Sequence, residues 1–370
     1  MSDIKKILHI FPESMFINDY FNFIDNNFSS IIHDLIIINI GGNGKTTKLD
    51  DKFSKLYNVK YISTFKLSDV LILNKYLKNS ASYDNIIFHS LYLNYLLLAL
   101  LLNLKVVRKA TLTLWGGQDV GPFKVPETKR KYLIFGWFYE KIRKIVIKEF
   151  KYIGAIKKYN YDRVKSLYNV KGKYKDCKYV FKTFIAYNHI KKNNFTNIQI
   201  SNSGSSFNMT LESLEILKKY KNENIRIFCP LSYGDTDYII KVIDKGKEIF
   251  GKKFIPLTKQ MSFDNFSKLL SYMDIFIHNS SEQIGLGSVL INIFHKNKVY
   301  LNSKGILYFD LIKDDYHIYK IEDICKQDFN DFTKYDIEFG EKNKIKAKGI
   351  LENEGTKEIW DDIFFNKIDK

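Results

Sequence analysis

The stretch from Asp274 to Leu301, DIFIHNSSEQIGLGSVLINIFHKNKVYL, has the pattern of a buried strand, a glycine-containing loop, a helix and a second strand. The start of a helix binds anions, because its first N–H groups have no partner within the helix and its dipole is positive there. Glycines in the loop let the backbone approach such an anion closely. The loop is neither a Walker A loop nor a complete dinucleotide fingerprint. The segment predicts a phosphate site in an α/β protein, with a purely structural tight turn as the alternative.

Apolar, β-rich runs recur along the chain with helical segments between them, as in proteins built from parallel sheets covered by helices. Ten strands are predicted, namely Lys6–Ile10, Leu35–Ile40, Asn85–Phe88, Ala110–Leu114, Tyr152–Ile156, Asn197–Ser201, Ile225–Pro230, Phe254–Pro256, Asp274–His278 and Lys298–Leu301. At 370 residues the chain suits two domains. We place the boundary in the polar, aperiodic stretch from Ala186 to Asn197, which predicts domains at residues 1–188 and 189–340 and a helical segment at 341–370.

Three polar loops in the second half follow predicted strands. They run from Ser201 to Asn208, from Pro230 to Asp235 and from Gln283 to Ser288. Because the carboxyl ends of parallel strands share one edge of a sheet, these loops should meet in one crevice. A helix cap explains part of the first loop, but its run of small polar residues is longer than a cap needs. The convergence predicts a nucleotide-type ligand.

Two loops in the first half carry further candidate residues. His89 lies between a predicted strand and a leucine-rich helix, where α/β folds place ligand-contacting side chains. The loop WGGQD, from Trp115 to Asp119, follows the next strand, and its paired glycines favour an open conformation that presents both end residues. A structural role is the alternative interpretation of a lone histidine such as His89.

The charge balance indicates an anionic partner. The formal net charge is +17, which suits nucleic acid, an anionic membrane surface or a phosphorylated substrate. The three cysteines, Cys177, Cys229 and Cys325, have neither an even count nor zinc-ligand spacing. We therefore expect no disulfide framework, no zinc site and a reduced, cytosolic compartment. The N-terminus lacks the features of a secretory signal peptide and is predicted to be the first strand.

Two segments are rich in apolar residues. Leu91 to Val107 contains Asn94, Asn103 and Lys105 and is shorter than the roughly 20 apolar residues that span a bilayer, so we expect a buried helix. Glu127 to Phe150 mixes basic and aromatic residues at helical spacing. Its apolar face either packs in the core or lies on an anionic membrane surface.

The loops described above resemble those of glycosyltransferase family 56, the TDP-N-acetylfucosamine:lipid II N-acetylfucosaminyltransferases of enterobacterial common antigen synthesis. The resemblance covers residues 85–310 in the family's order and approximate spacing, and it rests on Phe88-His89, Trp115-Gly116, Asn202-Ser203-Gly204 with Asn208, Pro230 with Tyr233, and Gln283 with Gly285-Leu286-Gly287. It implies a GT-B arrangement, in which two Rossmann-like domains with parallel sheets face an interdomain cleft. The sugar nucleotide is then held mainly by the C-terminal domain and the acceptor by the N-terminal one.

The resemblance implies roles for individual residues. His89 and Asp119 are the candidate general bases, because their loops should open into the interdomain cleft. His9 and Glu13, at the end of the first predicted strand, are the next candidates. The expected donor-binding residues are Asn202, Ser203, Gly204, Ser205, Asn208, Tyr233, Gln283, Gly285, Gly287 and Ser288, and the expected acceptor-side residues are Trp115, Gly116 and Gly117. The family pattern is W-G-x-D, and the extra residue between Trp115 and Asp119 departs from it.

The resemblance predicts transfer of a deoxyamino sugar from a nucleoside diphosphate sugar, expected to be TDP-linked, to a polyprenyl-diphosphate-linked or other cell-surface glycan acceptor.

 The absence of a D-x-D motif in a suitable loop predicts metal independence, and no cofactor is expected. The resemblance implies a peripheral protein at the inner face of the cytoplasmic membrane, where the anionic membrane surface holds it.

Three alternatives remain open from the sequence. A nucleic-acid-binding protein would suit the charge, but no RRM, KH, helix-turn-helix or zinc pattern is present and the basic residues are spread throughout, so no nucleic acid partner is expected. A sugar-nucleotide epimerase would need an early G-x-G-x-x-G motif and a Tyr-x-x-x-Lys pair. A non-catalytic member of a glycan assembly complex would keep the fold.

Overall fold

A computed structural model describes residues 4–14, 16–39, 49–63, 67–91, 96–122, 133–178, 180, 187 and 195–365. The chain divides into two compact units. The first contains the described residues up to 180 together with 353–365, and the second contains 187 and 195–352. The predicted boundary stretch from Ala186 to Asn197 lies largely outside the described residues.

The first unit is built on a parallel sheet whose described part has seven strands in the order β3-β2-β1-β4-β5-β6-β7. Central strands such as β2 are apolar on both faces, as expected where helices cover both sides of a parallel sheet. The strands are β1 Lys6–Pro12, β2 Ile32–Asn39, β3 Asn58–Ser63, β4 Asn85–His89, β5 Thr111–Thr113, β6 Tyr152–Ala155 and β7 Lys173–Asp176.

Helices of the first unit follow its strands in alternation. They are α1 Ile17–Phe28, α2 Asp51–Leu56, α3 Leu67–Lys78, α4 Leu96–Leu102, α5 Leu104–Val107, α6 Leu133–Ile147 and α7 Lys158–Tyr168, with α15 Thr356–Phe365 joining from the end of the chain. Helices α1 and α15 share a buried cluster with β1 and β2, which includes Phe11, Phe21 and Phe364. Helix α4 packs against α3 and α6.

The second unit has the same architecture, with six described parallel strands in the order β10-β9-β8-β11-β12-β13. They are β8 Thr196–Ile200, β9 Ile225–Pro230, β10 Phe254–Leu257, β11 Ile275–His278, β12 Lys298–Leu301 and β13 Tyr319–Lys320. The helices are α8 Thr210–Leu217, α9 Thr236–Phe250, α10 Phe263–Leu270, α11 Leu286–Phe294, α12 Ile306–Lys313, α13 Phe329–Thr333 and α14 Ile337–Leu351.

The predicted alternation of strands and helices is confirmed, and each of the ten predicted strands overlaps a strand of the structure. The leucine-rich segment is helical from Leu96, as expected, and Leu97 and Leu100 are fully buried. The predicted helix from Glu127 to Phe150 is observed as α6, while residues 123–132 lie outside the described part of the chain. The predicted C-terminal segment, 341–370, contains the end of α14 and all of α15, which belong to different units.

In both sheets the strand order reverses beside the first strand of the unit. The reversal lies between β1 and β4 in the first sheet and between β8 and β11 in the second. Open α/β sheets bind their ligands outside the carboxyl ends of the strands at such a switch point. The fold therefore marks one candidate site in each unit.

Candidate active site

The candidate site in the second unit begins where β8 ends. The backbone N–H of Ser201 donates to the carbonyl of Ile277 at 2.9 Å, which ties the loop after β8 to β11. Ser201 has a left-handed backbone, with a φ of 61°, and its hydroxyl lies 2.7 Å from that of Thr210 at the start of α8. The loop therefore leaves the sheet in a fixed direction, anchored at the strand and at the following helix.

Close backbone contact joins the loops after β8 and β9. Gly204 and Gly234 form an isolated parallel bridge, in which the N–H of Gly204 donates to the carbonyl of Tyr233 at 2.8 Å. A Cβ on Gly204 would lie 2.2 Å from Ile239 Cγ1, and one on Gly234 would lie 2.4 Å from the Gly204 carbonyl carbon. Gly204 is thus needed for the approach of the two loops, which is a structural requirement beside its predicted donor-binding role.

The polar side chains of these loops bond to one another. Asn208 donates from Nδ2 to the carbonyl and hydroxyl oxygens of Ser203, at 2.8 and 3.0 Å. Ser205 accepts from the N–H of Phe207 and so caps the short helix that follows. Tyr233 is half-exposed, and its hydroxyl lies near the side chains of Ser203 and Asn202.

The glycine-containing loop reaches the same place from β11. Gly285 has a φ of 74° and directly precedes α11. A Cβ added to it would lie 2.9 Å from Asn202 Cγ, so the loops after β8 and β11 are in contact here. Gly287 and Ser288 occupy the first turn of α11, where helix N–H groups have no carbonyl partner within the helix. The predicted meeting of three loops at one sheet edge is therefore observed.

Gln283 is placed differently from its neighbours in the loop. Its side chain is buried, and Nε2 donates to Asp310 Oδ2 on α12 at 2.7 Å. The bond ties the glycine-containing loop to the helix that follows β12. In this arrangement the amide group of Gln283 holds the loop in position.

Sequence reasoning missed His278, the last residue of β11. Its Nε2 donates to the carbonyl of Ile284 at 2.9 Å, which leaves Nδ1 as the unprotonated nitrogen. Burial lowers the pKa of His278 to about 4, so the ring is neutral at pH 7. The Nδ1 atom is buried without a hydrogen-bond partner. The same is true of Asn202 Oδ1 and Asn208 Oδ1, so the site contains three acceptor atoms that a ligand could satisfy. A strand-terminal histidine before a polar loop was the only sequence signal for this residue.

Glu282 was also missed, since it precedes the loop residues that carried the prediction. It is buried, accepts a hydrogen bond at Oε1 from the Ser281 hydroxyl at 3.2 Å, and donates from its N–H to Ser280 Oγ at 3.1 Å. A buried carboxylate beside a candidate ligand site is a typical hydrogen-bond acceptor for hydroxyl groups.

The candidate site of the first unit is dominated by histidines. His9 in β1 lies between His33 in β2 and His89 at the end of β4, with nitrogen–nitrogen distances of 2.9 Å to His33 and 3.1 Å to His89. Burial lowers all three pKa values, to about 4 for His33 and about 3 for His89. The three rings are therefore neutral at pH 7, and each N–H···N bond needs one protonated and one unprotonated nitrogen.

Asp119 is buried beneath the loop that contains it. Oδ1 accepts from the N–H of Leu91 at 3.2 Å, and Oδ2 accepts from the N–H of Trp115 at 3.1 Å. Burial raises the pKa of Asp119, while the charge of Arg143 opposes the increase. Both carboxylate oxygens thus hold backbone in place. That His89 or Asp119 is the catalytic base stays a prediction.

The loop between Trp115 and Asp119 turns through two left-handed glycines. Gly116 and Gly117 have φ values of 87° and 54°. The Trp115 ring packs edge-on against Phe11, at 4.9 Å between ring centroids, and lies 6.1 Å from the His89 ring. The structure therefore brings the predicted acceptor-side loop and His89 to the same edge of the first sheet.

Two further expectations concern metal and membrane. In the part of the chain that the structure describes, no group of three or more His, Cys, Asp or Glu side chains is arranged to hold a metal ion. The sequence Asp235-Thr236-Asp237 opens α9, and Asp235 caps that helix by accepting from the N–H of Tyr238 at 3.1 Å. None of the helices formed by described residues is long and apolar enough to span a bilayer.

Solved structures with a similar fold include glycosyltransferases and sugar-phosphate enzymes. Sucrose-phosphate synthase from Thermosynechococcus elongatus has a TM-score of 0.68 at 10% identity, over 99% of each chain. Anabaena HepE, in complex with UDP and glucose, has a TM-score of 0.66 at 9% identity, over 98% of this chain and 100% of that one. A Rickettsia africae glycosyltransferase has a TM-score of 0.62 at 15% identity, over 99% of this chain and 97% of that one. At these identities the likeness shows the fold alone.

The family comparison extends beyond the fold. A family model described as 4-alpha-L-fucosyltransferase, glycosyl transferase group 56, matches residues 16–347. The match confirms the resemblance seen in the loop motifs, and the solved structures confirm the predicted GT-B fold class with two Rossmann-like domains. The chain belongs to glycosyltransferase group 56 and is a glycosyltransferase with the GT-B fold.

Proposed function

We propose that the protein transfers a deoxyamino sugar from a TDP-linked donor to a polyprenyl-diphosphate-linked or other cell-surface glycan acceptor. The observation that carries the donor site is the meeting of the loops after β8, β9 and β11 at the switch point of the second sheet, beside the start of α11. Group 56 membership supports the reaction class. Thymine as the base of the donor nucleotide and a lipid-linked acceptor are suggested by the sequence resemblance.

In this proposal the donor diphosphate binds at the N-terminus of α11. Its negative charge is stabilised by the free N–H groups around Gly287 and Ser288 and by the helix dipole. Stabilising the departing diphosphate is what the transfer reaction requires of the donor site. The helix terminus supplies this without a metal, and we therefore retain metal independence as part of the proposal.

We propose that the sugar and the nucleoside of the donor bind to the polar loops at the same edge of the second sheet. The buried acceptor atoms of Asn202, Asn208 and His278 lack partners and can receive hydrogen bonds from hydroxyl or imino groups. Tyr233 is 50% exposed, so its ring can contact the nucleoside. Ser203, Gly204, Ser205, Gln283 and Gly285 shape the loops that hold these groups.

We also propose that the first unit docks on an anionic membrane through a surface formed by α3, α4 and α6. Each helix exposes large apolar side chains, with Leu71 at 67%, Leu102 at 72% and Ile134 at 84% exposure. Trp137 and Phe138 on α6 are also more than half exposed. An amphipathic helix that combines such residues with lysines is typical of membrane-surface binding.

Charge supports the same partner. Lys141 lies over the Trp137 ring, with Nζ 4.3 Å from its centroid, and Lys75, Lys105 and Lys144 lie on or beside the same helices. Each well-placed basic residue contributes about 1 kcal/mol to attraction by an anionic leaflet. A peripheral position at the inner membrane face would bring the enzyme to a lipid-linked acceptor.

A thermal-shift screen of the protein with TDP-, UDP-, GDP- and CMP-sugars tests the identity of the donor nucleotide. A ligand at 100 times its Kd adds about 2.7 kcal/mol to the stability of the native state, so the correct nucleotide should raise the melting temperature clearly. We expect the TDP-sugar to give the largest shift, with thymidine alone giving little. A larger shift with another nucleotide would overturn the TDP assignment, and no shift with any of them would contradict the proposed function.

A further inference from the structure

The carboxyl edge of the first sheet holds a buried carboxylate with an unsatisfied oxygen. Glu13 follows β1, and its N–H donates to the carbonyl of Ile38 at 2.8 Å, which continues the pairing with β2 one residue past Pro12. The residue is 7% exposed, and its Oε2 is buried without a hydrogen-bond partner. Leaving a buried carboxylate oxygen unsatisfied is costly. A group held this way indicates a ligand that donates a hydrogen bond to it.

Glu13 also lies at the place where the fold predicts a ligand. The strand order reverses between β1 and β4, and ligands of open α/β sheets bind outside the carboxyl ends of the strands at such a point. The register pairs Ile10 with Phe88, so Phe11 and His89 come next to each other, with ring centroids 4.3 Å apart. Glu13 follows two residues later, beyond the end of β1.

The neighbouring residues are aromatic, and one of them has an unsatisfied hydroxyl group. Tyr20 on α1 has its ring 4.8 Å from that of His89, and its hydroxyl is buried without a hydrogen-bond partner. Phe16 is 44% exposed, and its ring centroid lies 6.0 Å from that of Trp115. An unsatisfied carboxylate and an unsatisfied hydroxyl beside aromatic rings suit a ligand with several hydroxyl groups.

The other candidate bases in this unit already have partners. His89 shares a hydrogen bond with His9, and burial lowers its pKa to about 3, which makes it a weak base. Both carboxylate oxygens of Asp119 accept backbone N–H groups. Glu13 differs from His89, His9 and Asp119 in that one of its acceptor atoms, Oε2, is buried and unsatisfied.

We propose that Glu13 is the general base of the glycosyl transfer reaction. The inference rests on the proposed function and on the expectation, from the family resemblance, that the N-terminal domain holds the acceptor. Glu13 Oε2 takes the proton from the acceptor hydroxyl as that oxygen forms a bond to the anomeric carbon of the donor sugar. The bond from the anomeric carbon to the diphosphate oxygen breaks, and the leaving nucleoside diphosphate keeps the electron pair. Direct displacement with this base inverts the configuration at the anomeric carbon.

The test compares Glu13→Gln and Glu13→Asp with a control, Glu358→Gln, which changes an exposed glutamate on α15 of the same unit. The measured reaction is release of the nucleotide (TDP, UDP, GDP or CMP) from TDP-, UDP-, GDP- and CMP-sugars, with water as the acceptor. Donor affinity is measured by calorimetry, and melting temperature is measured for each variant. The pH dependence of kcat/KM is recorded for the wild type and for Glu13→Gln.

We expect Glu13→Gln to lower kcat by about 10²–10⁴-fold, the usual effect of losing a general base, with unchanged donor affinity. Glu13→Asp should lose less, since it keeps a carboxylate. The melting temperature of Glu13→Gln should change little, because glutamine has nearly the same size and shape as glutamate. The acid limb of the wild-type pH profile should be missing in this variant, whereas Glu358→Gln should behave like the wild type.

Other outcomes separate the two proposals. If the wild type turns over a donor and Glu13→Gln does so equally well, the role of Glu13 is overturned while the proposed function stands. A Glu13→Gln protein that fails to fold, or that loses donor affinity together with rate, would assign Glu13 a structural role and overturn the proposal. A wild type that releases nucleotide from none of the four donors would overturn both.

Discussion

At the scale of single residues, burial sets the chemistry of the histidines. His9, His33 and His89 form one hydrogen-bonded row in the first unit, and burial is the first cause of each lowered pKa. The sequence indicated His89 by its place after a strand, but it could not show the row, because the three residues come from β1, β2 and β4. Their contact depends on strand order and register, which residue spacing along the chain does not encode.

The lowered pKa values predict acid sensitivity of the first unit. Below the unfolded pKa of about 6.5, the unfolded chain binds protons that the folded unit excludes until its own lower pKa values are reached. Stability should therefore fall between pH 6.5 and about 3–4, by about 1.4 kcal/mol per pH unit for each histidine. The substitution His89→Gln removes one of these histidines and should reduce the slope of stability against pH by about 1.4 kcal/mol per pH unit.

Tryptophan fluorescence during urea unfolding measures this effect in the first unit. The three tryptophans are Trp115, Trp137 and Trp360, all in that unit. His317→Gln, in the second unit, is the control and should leave the tryptophan-monitored slope unchanged. An identical pH slope in His89→Gln and the wild type would contradict the assignment of a neutral, buried His89.

The structure adds a physical reason to the predicted role of Gly285 in donor binding. Gly285 has a left-handed φ and lies in contact with Asn202, so a valine there would force the loop after β8 away from α11. We therefore predict that Gly285→Val weakens TDP-sugar binding at least tenfold. Gly251→Val is a matched control, because Gly251 also has a positive φ, of 55°, but a Cβ there meets nothing within 4 Å. Both variants carry a backbone cost of about 1–2 kcal/mol.

Calorimetric titration of both folded variants with the TDP-sugar measures their donor affinities. Equal affinities for Gly285→Val and Gly251→Val would show that the contact between the loops after β8 and β11 has no part in donor binding.

At the scale of secondary-structure elements, the sequence predicted the interior of both sheets and missed part of their edges. The unpredicted strands β3, β7 and β13 all lie at sheet edges. An edge strand has fewer covered faces, so it lacks the continuous apolar run that marks a central parallel strand. KYKD in β7 and YK in β13 show this polarity. Their pairing with the sheet depends on tertiary contacts.

Helix α6 gives a prediction on membrane binding. The double change Ile134→Ser and Trp137→Ser should lower binding to vesicles of phosphatidylglycerol and phosphatidylcholine by about tenfold or more, because each large side chain that leaves the membrane loses about 1.5–3 kcal/mol. Ile240→Ser removes a similarly exposed residue, at 53%, from α9 of the second unit and serves as control.

Sedimentation with vesicles at low and high salt gives the measurement. High salt should release the wild type, because attraction between lysines and anionic lipid is screened. If the wild-type protein never sediments with these vesicles, the proposal of membrane binding is wrong. If the α6 variant sediments as well as the wild type, the membrane-binding surface does not include α6.

Helix α15 gives a prediction on stability. Ile363 is fully buried in the cluster shared with α1, β1 and β2, and Lys175 reaches the Asp362 carboxylate at 3.3 Å. Truncation by Ile363→Ala should cost about 2–5 kcal/mol, whereas Glu358→Ala on the exposed side should cost less than about 0.5 kcal/mol. Tryptophan-monitored urea unfolding reports both values. A cost below about 1 kcal/mol for Ile363→Ala would mean that α15 is not part of the core of this unit.

At the scale of the whole molecule, two units repeat one plan. Each has a parallel sheet whose strand order reverses beside its first strand, and each has polar or aromatic loops at that point. The sequence could predict this plan because alternating strands and helices, with loops at strand ends, are local features. It could not assign the end of the chain, since α14 packs in the second unit and α15 in the first. Which unit a terminal helix joins depends on complementary surfaces formed by distant residues.

The central claim is that the second unit binds the donor nucleotide at the start of α11, and a crystal structure of the protein with TDP tests it most directly. The claim predicts diphosphate oxygens within hydrogen-bonding distance of the N–H groups of Gly287 and Ser288, with the nucleoside beside Tyr233. A parallel structure with UDP would show whether the base changes the position. TDP bound instead at the carboxyl edge of the first sheet, beside His89 and Glu13, would contradict the claim.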